Sequence, residues 1–195
     1  MFYRRRKSRF RYSKIVILGI LILLALNAKD IGQFLFPISY SQVISREAKG
    51  TGLDALLVTA VVRTESGFNP IAVSAKGARG LMQIMPETGQ YVAKKEGFPE
   101  FKAELLFDPE YNVKIGVAYI NELYQEYRGD TVLVLAAYNA GRGNVNKWLQ
   151  QQSWTGELSN IDRIPFPETR QFIRKVLFYQ KIYRFLYDST PEKKS

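Results

Sequence analysis

Apolar and polar residues recur at helical spacing over most of the chain. Leu53, Leu56, Leu57, Ala60 and Val61 fall at i, i+3, i+4, i+7 and i+8. That stripe predicts a helix from Leu53 to about Ser66, stopped by Gly67 with Pro70 beyond. A short polar helix over 40–49 precedes it and ends near Gly50 and Gly52. Residues 67–80, rich in Gly and Ser, read as a loop, and Pro86 opens a helix to about Lys95. After an irregular stretch over 96–107, Asp108-Pro109 supplies a cap and a first-turn proline. The next helix runs to about Tyr127 and buries Val113, Val117, Ile120 and Leu123. Beyond Gly129 and Asp130 comes an apolar helix, Thr131 to Asn139, broken by Gly141 and Gly143. A short helix from Val145 to Gln152, a loop from Ser153 to Pro167 and a long helix from about Glu168 to Tyr187 complete the pattern. Only Leu81 to Met85 is ambiguous with a strand, and no internal repeat appears. The expectation is an all-α domain over 40–188, with a polar tail over 189–195.

The amino-terminal pattern is different. Ile15 to Ala28 carries no charge, and a second apolar patch, Ile31 to Tyr40, lies close behind it. Seven basic residues with no acid among them precede the run: Arg4, Arg5, Arg6, Lys7, Arg9, Arg11 and Lys14. A basic block before an apolar run is the layout of a secretory signal or signal-anchor. Cleavage after Ala28 would put Leu26 where a small residue is wanted, which favours an uncleaved anchor. The run is short for a span of roughly 20 residues, although Phe10, Tyr12, Lys14 and Lys29 can extend it at the interface. The expected organisation is a basic cytoplasmic tail at 1–14, a membrane anchor and linker at 15–36, and an exported domain at 40–188. The protein would then be single-pass in the cell membrane, with its globular part on the outer, cell-wall side.

Charge and composition change this picture in two ways. The chain has 28 Lys and Arg against 18 Asp and Glu, a net +10. Removing the seven amino-terminal cations leaves only +3 for the remainder. The excess therefore speaks for lipid headgroups and against a nucleic-acid partner. The chain also contains no histidine and no cysteine. That excludes a Ser-His-Asp triad, a thiol nucleophile, a disulfide and a zinc site of the usual kind. Any catalysis must rest on carboxylates, hydroxyls, Lys, Arg or Tyr.

Glu65 is the leading carboxylate. It ends the apolar helix, near the negative pole of the helix dipole, which favours its protonated form. Apolar neighbours would raise its pKa further and suit it to general-acid work. A lone glutamate at a helix end is more often a solvated residue, so its weight depends on the residues downstream. Ser74 stands in a loop whose glycines, Gly77 and Gly80, permit close backbone approach to an extended ligand. Gln83 offers a donor and an acceptor to a sugar, and Tyr138 can donate into a cleft. Met85 also reads as ordinary core filler, and Tyr138 as a core aromatic.

Four segments occur in order: Glu65-Ser66-Gly67-Phe68-Asn69-Pro70, Gly77-Ala78-Arg79-Gly80-Leu81-Met82-Gln83-Ile84-Met85-Pro86, Ala136-Ala137-Tyr138-Asn139-Ala140-Gly141, and Ile164-Pro165-Phe166-Pro167-Glu168-Thr169-Arg170. Together they resemble the soluble-lytic-transglycosylase catalytic domain, over about 40–185. The resemblance implies a goose-lysozyme-like, multi-helix fold. It implies that Glu65 is the single catalytic glutamate and that Ser74 touches substrate or the catalytic carboxyl. Gln83 and Met85 would bind glycan around the cut bond. Tyr138 would hydrogen-bond near the glutamate, Asn139 belongs to the same motif, and Glu168 would support the cleft. Arg142 stands where such domains often carry Pro, a departure expected on the cleft rim.

The implied reaction is cleavage of the β-1,4 bond between N-acetylmuramic acid and N-acetylglucosamine in peptidoglycan, giving 1,6-anhydromuramic ends. Neither a metal nor an organic cofactor is expected. A hydrolase producing reducing ends and a non-catalytic peptidoglycan-binding module are the alternatives. The partners expected are the glycan strand and the membrane; no protein partner is specified. The aromatic end, Phe172, Phe178, Tyr179, Tyr183, Phe185 and Tyr187, reads as helix packing rather than a sugar platform.

Overall fold

The computed structural model describes the backbone of residues 4–98 and 100–188, with side chains from Lys14 onward except Ile15. The expected 189–195 tail lies outside the described residues, as do the side chains of the amino-terminal arginines. The chain forms two compact units, Ile38–Arg184 and the segment to Pro37 together with the residues from Phe185.

The larger unit is helical. Its helices are α3 (Ser41–Thr51), α4 (Ala55–Glu65), α5 (Pro86–Lys95), α6 (Pro109–Glu126), α7 (Thr131–Ala140), α8 (Arg142–Gln150) and most of α9 (Pro167–Tyr187). Helix α4 is its axis. The Asp54 side chain accepts a hydrogen bond from the Leu56 amide at 2.9 Å and so caps the helix. Leu57 to Val62 are all buried, so α4 is enclosed on every side. Each fully buried side chain of the Leu or Val type contributes roughly 1.5–3 kcal/mol. Asp108 and Asp130 cap α6 and α7 in the same manner. Trp154, Tyr183 and Leu135 are among the largest fully buried side chains of the surrounding core.

Several boundaries differ from those expected of the sequence. Helix α4 begins two residues later than Leu53, because Asp54 takes the cap position. Helix α8 starts at Arg142 rather than Val145, since Gly141 adopts φ 86°, ψ 142° and turns the chain directly into it. The stretches expected to be irregular contain short 3₁₀ turns, Ala103–Phe107 and Leu158–Arg163. Leu81 to Met85 is not a strand. Arg79 instead makes two isolated antiparallel bridges, with Val73 and with Ile84, which fold the 67–85 loop on itself.

The smaller unit contains α1 (Arg4–Leu26) and α2 (Ala28–Leu35). Asn27 interrupts them: its side-chain amide donates to the Leu23 carbonyl at 2.8 Å. Among the described residues, no single helix is long and apolar enough to cross a membrane. Val16–Leu26 and Ala28–Leu35 meet the requirement together, with a bend of 64° between them. Their apolar side chains lie in the open, Leu26 and Phe34 most of all. Within this unit the Gln33 amide donates to the Leu186 carbonyl and the Tyr187 hydroxyl donates to the Phe36 carbonyl, both at 2.9 Å.

Candidate active site

The last turn of α4 carries Glu65 to the wall of a cleft of about 530 Å³. The other walls come from the 67–85 loop, the start of α5, the middle of α6, the end of α7 and the first turn of α9. Every residue singled out in the sequence lines this one cleft: Glu65, Ser74, Gln83, Met85, Tyr138, Asn139 and Glu168.

Glu65 is half-buried, and burial alone drives its carboxyl up from 4.5 to about 8. Among the described residues, no ion pair or hydrogen bond to that carboxyl offsets the loss of solvation. The group is therefore largely protonated at neutral pH. Next to it, the Ser66 hydroxyl donates to the Leu81 carbonyl at 2.8 Å and ties the helix end to the loop.

The loop owes its shape to a buried polar side chain that helical periodicity did not reveal. Asn112, fully buried in the first turn of α6, accepts from the Met82 amide at 2.8 Å. It also donates to the carbonyls of Leu106 at 2.8 Å and Arg79 at 2.9 Å. Both its donor and its acceptor atoms are satisfied, so a polar group without access to water costs little. Gly80, at φ 75°, lies against Asn112 and the Leu106 carbonyl, where a Cβ would collide with both. Gly116 of α6 leaves equivalent space for the Met82 sulfur.

Tyr138 does not donate into the open cleft. Its hydroxyl donates to the Met82 carbonyl at 2.7 Å. Enclosure, and after it the proximity of Glu65, holds the phenol well above its ordinary pKa, so it remains a donor. Its ring stacks on Phe172 of α9 at 6.2 Å and meets Tyr119 at 5.7 Å. Gln83 sits in the left-handed region at φ 48°. Its amide nitrogen donates to the carbonyls of Gly80 at 2.9 Å and Ala72 at 3.1 Å. Both donors are thus committed to the loop, and only the side-chain oxygen is left for a ligand. Ser74 is similarly engaged, its hydroxyl oxygen accepting from the Ala78 amide at 3.0 Å. Asn139 accepts from the buried Thr169 hydroxyl at 2.7 Å, which joins α7 to α9. Glu168 is exposed at the cleft edge and pairs with Lys76 at 3.0 Å.

Tyr119, Thr88 and Lys76 also line the cleft without having been singled out. Tyr119 lies mid-helix, where an aromatic at helical spacing reads as core. Arg142 is not among the lining residues. Its guanidinium pairs with Glu122 at 2.8 Å and Glu126 at 3.2 Å, and sits 5.7 Å from the ring centres of Tyr91 and Tyr119. It acts behind the wall rather than on the rim. Among the described residues there is no cluster of acids able to hold a metal ion. In the aromatic end of α9, Phe172 and Tyr183 are buried while Phe178 and Phe185 are exposed, so packing accounts for only part of it.

An all-α, lysozyme-like domain with one enclosed glutamate at the end of its central helix defines the class. The family model for the transglycosylase SLT domain matches residues 42–161, and the chain belongs to that family. Soluble lytic murein transglycosylase of Salmonella typhimurium is 36% identical over 151 residues, which is 76% of this chain and 23% of that protein. Membrane-bound lytic murein transglycosylase C of Edwardsiella ictaluri is 35% identical over 170 residues, covering 74% of this chain and 46% of that protein. A solved structure of an inactive glutamate-to-glutamine mutant of lytic transglycosylase Slt from Pseudomonas aeruginosa aligns with a TM-score of 0.72 at 36% identity. The alignment covers 82% of this chain and 26% of that one. The chain thus spans from about a quarter to about half of the length of these relatives.

Proposed function

We propose that this protein is a peptidoglycan lytic transglycosylase, with Glu65 as its one catalytic carboxyl. The observation that carries the reading is a half-buried glutamate without an ion-pair or hydrogen-bond partner among the described residues, on the wall of a cleft of about 530 Å³ in a domain of this family. Most glycosidases place two carboxylates about the scissile bond. Here the second carboxylate of the cleft, Glu168, lies in solvent at the edge, 3.0 Å from the Lys76 ammonium, and lacks the burial that favours a protonated acid. In this reading Glu65 does both proton transfers.

In the first step the Glu65 carboxyl protonates the glycosidic oxygen as the C1–O bond breaks, and the N-acetyl carbonyl of the muramic sugar closes on C1. In the second step the Glu65 carboxylate takes the proton of that sugar's 6-hydroxyl. The 6-oxygen attacks C1 and the N-acetyl oxygen departs. The carboxyl is regenerated, no water is consumed, and the product is a 1,6-anhydromuramic end. Attack within one sugar benefits from a high effective concentration. The acid must begin protonated, which its enclosure favours.

Ser74, Gln83, Met85, Asn139 and Glu168 would contact the glycan, Gln83 through its side-chain oxygen. Tyr138 acts less directly, fixing Met82 and so the wall facing Glu65. Mass spectrometry of products from purified peptidoglycan tests the reaction. Anhydro ends, one water lighter than the hydrolytic product, are expected; reducing ends would instead select a hydrolase.

The chain is read as membrane-associated through 15–36, with the domain over 40–188 on the cell-wall side. The basic block, the exposed apolar helices and the membrane-bound relative support this. Retention in the membrane fraction through a high-salt wash, and release by detergent, is the expected result. Release by salt alone would remove the anchor.

A further inference from the structure

Among the described residues, Lys76 is the one cation lining the cleft. Its backbone is fixed. The Gly77 amide donates to the Ser74 carbonyl and the Ser74 amide to the Ala78 carbonyl, both at 2.9 Å, closing a tight turn with Gly77 at φ 88°. Its side chain is 76% exposed and reaches across to Glu168, itself 62% exposed, at 3.0 Å. An ion pair so exposed is worth about 0–1 kcal/mol, so it holds neither the turn nor α9 in place and opens readily. An ammonium on a rigid turn is thus held at a glycan cleft by a carboxylate that is easily replaced.

The substrate class supplies a competing carboxylate. A muramyl unit differs from N-acetylglucosamine by its lactyl ether, which ends in a carboxylate or continues into an acidic peptide. We infer that Lys76 is a specificity-determining residue that exchanges Glu168 for a carboxylate of the muramyl unit as the strand enters. The inference rests on the glycan-cleaving reading of the cleft. It makes the Lys76–Glu168 pair a charge filter that favours acid-bearing strands over neutral β-1,4-linked N-acetylglucosamine polymers. Such a rim charge acts mainly through encounter and salt dependence.

The test measures binding by the full-length protein in the uncleaving Glu65→Gln background. Three ligands are compared: peptide-free glycan strands with free lactyl carboxylates, peptide-bearing strands, and neutral N-acetylglucosamine oligomers. Lys76→Gln is expected to weaken binding of an acidic strand by about two- to fivefold at low salt and leave the neutral oligomer unchanged. Lys76→Arg should restore the preference. A loss confined to peptide-free strands assigns the lactyl carboxylate, and a loss confined to peptide-bearing strands assigns the peptide. Because Lys76→Gln also unmasks Glu168, the comparison is repeated with Glu168→Gln present. The ratio of acidic to neutral affinity should still fall when Lys76 is removed. An unchanged ratio in Lys76→Gln, whether no ligand loses affinity or all lose it equally, overturns the inference alone. If the Glu65→Gln parent binds no glycan at all, the reading of the cleft falls with it.

Discussion

Glu65→Gln is expected to abolish cleavage and, at neutral pH, to make the protein more stable. The folded state holds the Glu65 proton up to about 8, whereas the unfolded chain releases it near 4.5. Across that window the unfolded state binds fewer protons, so stability falls as pH rises and levels off above the upper value. At pH 7 the accumulated cost is about 3 kcal/mol, an upper bound because Glu65 keeps part of its surface in water. Glutamine has the same shape and no charge to desolvate, and so avoids that cost. For a domain of this size the gain corresponds to roughly 6–12 °C in Tm. The assay is denaturant unfolding of the full chain and its Glu65→Gln variant in mild detergent, from about pH 4 to about pH 9. The two curves should coincide near pH 4, diverge through neutrality and run parallel above about pH 8. Cleavage by the variant should fall by at least about 10²–10⁴-fold, the usual share of a general acid. A stability difference independent of pH would refute the assigned burial, and an active variant would refute the mechanism.

The same geometry sets four other outcomes. Cleavage by the parent protein should decline as pH rises through about 8, because the acid is then ionised at the start of the cycle; a rate profile on purified peptidoglycan reads this directly. Asn112→Ala leaves the Met82 amide and the Leu106 carbonyl without a partner, while the Arg79 carbonyl keeps the Ile84 amide, and should cost about 2–4 kcal/mol, measurable by denaturant unfolding, with cleavage impaired even where the fold persists. Tyr138→Phe removes only the hydrogen bond to the Met82 carbonyl; a loss of about 1–2 kcal/mol, with kcat reduced more than substrate binding, is expected from unfolding and steady-state kinetics. Arg142→Ala removes two partly exposed ion pairs and the ring contacts with Tyr91 and Tyr119 and should cost about 1–2 kcal/mol, the ionic part of which shrinks at high salt in thermal unfolding.

Helical spacing identified the central helix but understated its enclosure, since six successive residues, Leu57 to Val62, are buried and not one stripe alone. The cap at Asp108 was legible because a short side-chain oxygen before a first-turn proline has few other uses. The cleft residues were legible through their motifs rather than their periodicity, and the fold then drew four separated segments into one space. What the sequence concealed were bonds between distant segments. Nothing near Asn112 indicates that its amide organises residues 79–82, thirty residues away. A tyrosine at a helix end gives no sign of whether its hydroxyl turns to ligand or backbone, and Tyr138 turns to the Met82 carbonyl. The pairing of Lys76 with Glu168 spans 92 positions and depends on α9 returning to the loop.

Met82 is held through its amide by α6 and through its carbonyl by α7, while the first half of the same loop, with Ile71, Val73, Ala75 and Lys76, faces solvent. The loop therefore has one half in which changes disturb the catalytic wall and another in which, Ser74 and the Ala72 carbonyl apart, they alter what the cleft meets first. Variation in the exposed half can retune the choice of strand while the chemistry stays constant. Relatives that cut the same bond in differently decorated walls would then differ most at the exposed positions 71, 73, 75 and 76 and least at 74 and between 79 and 85.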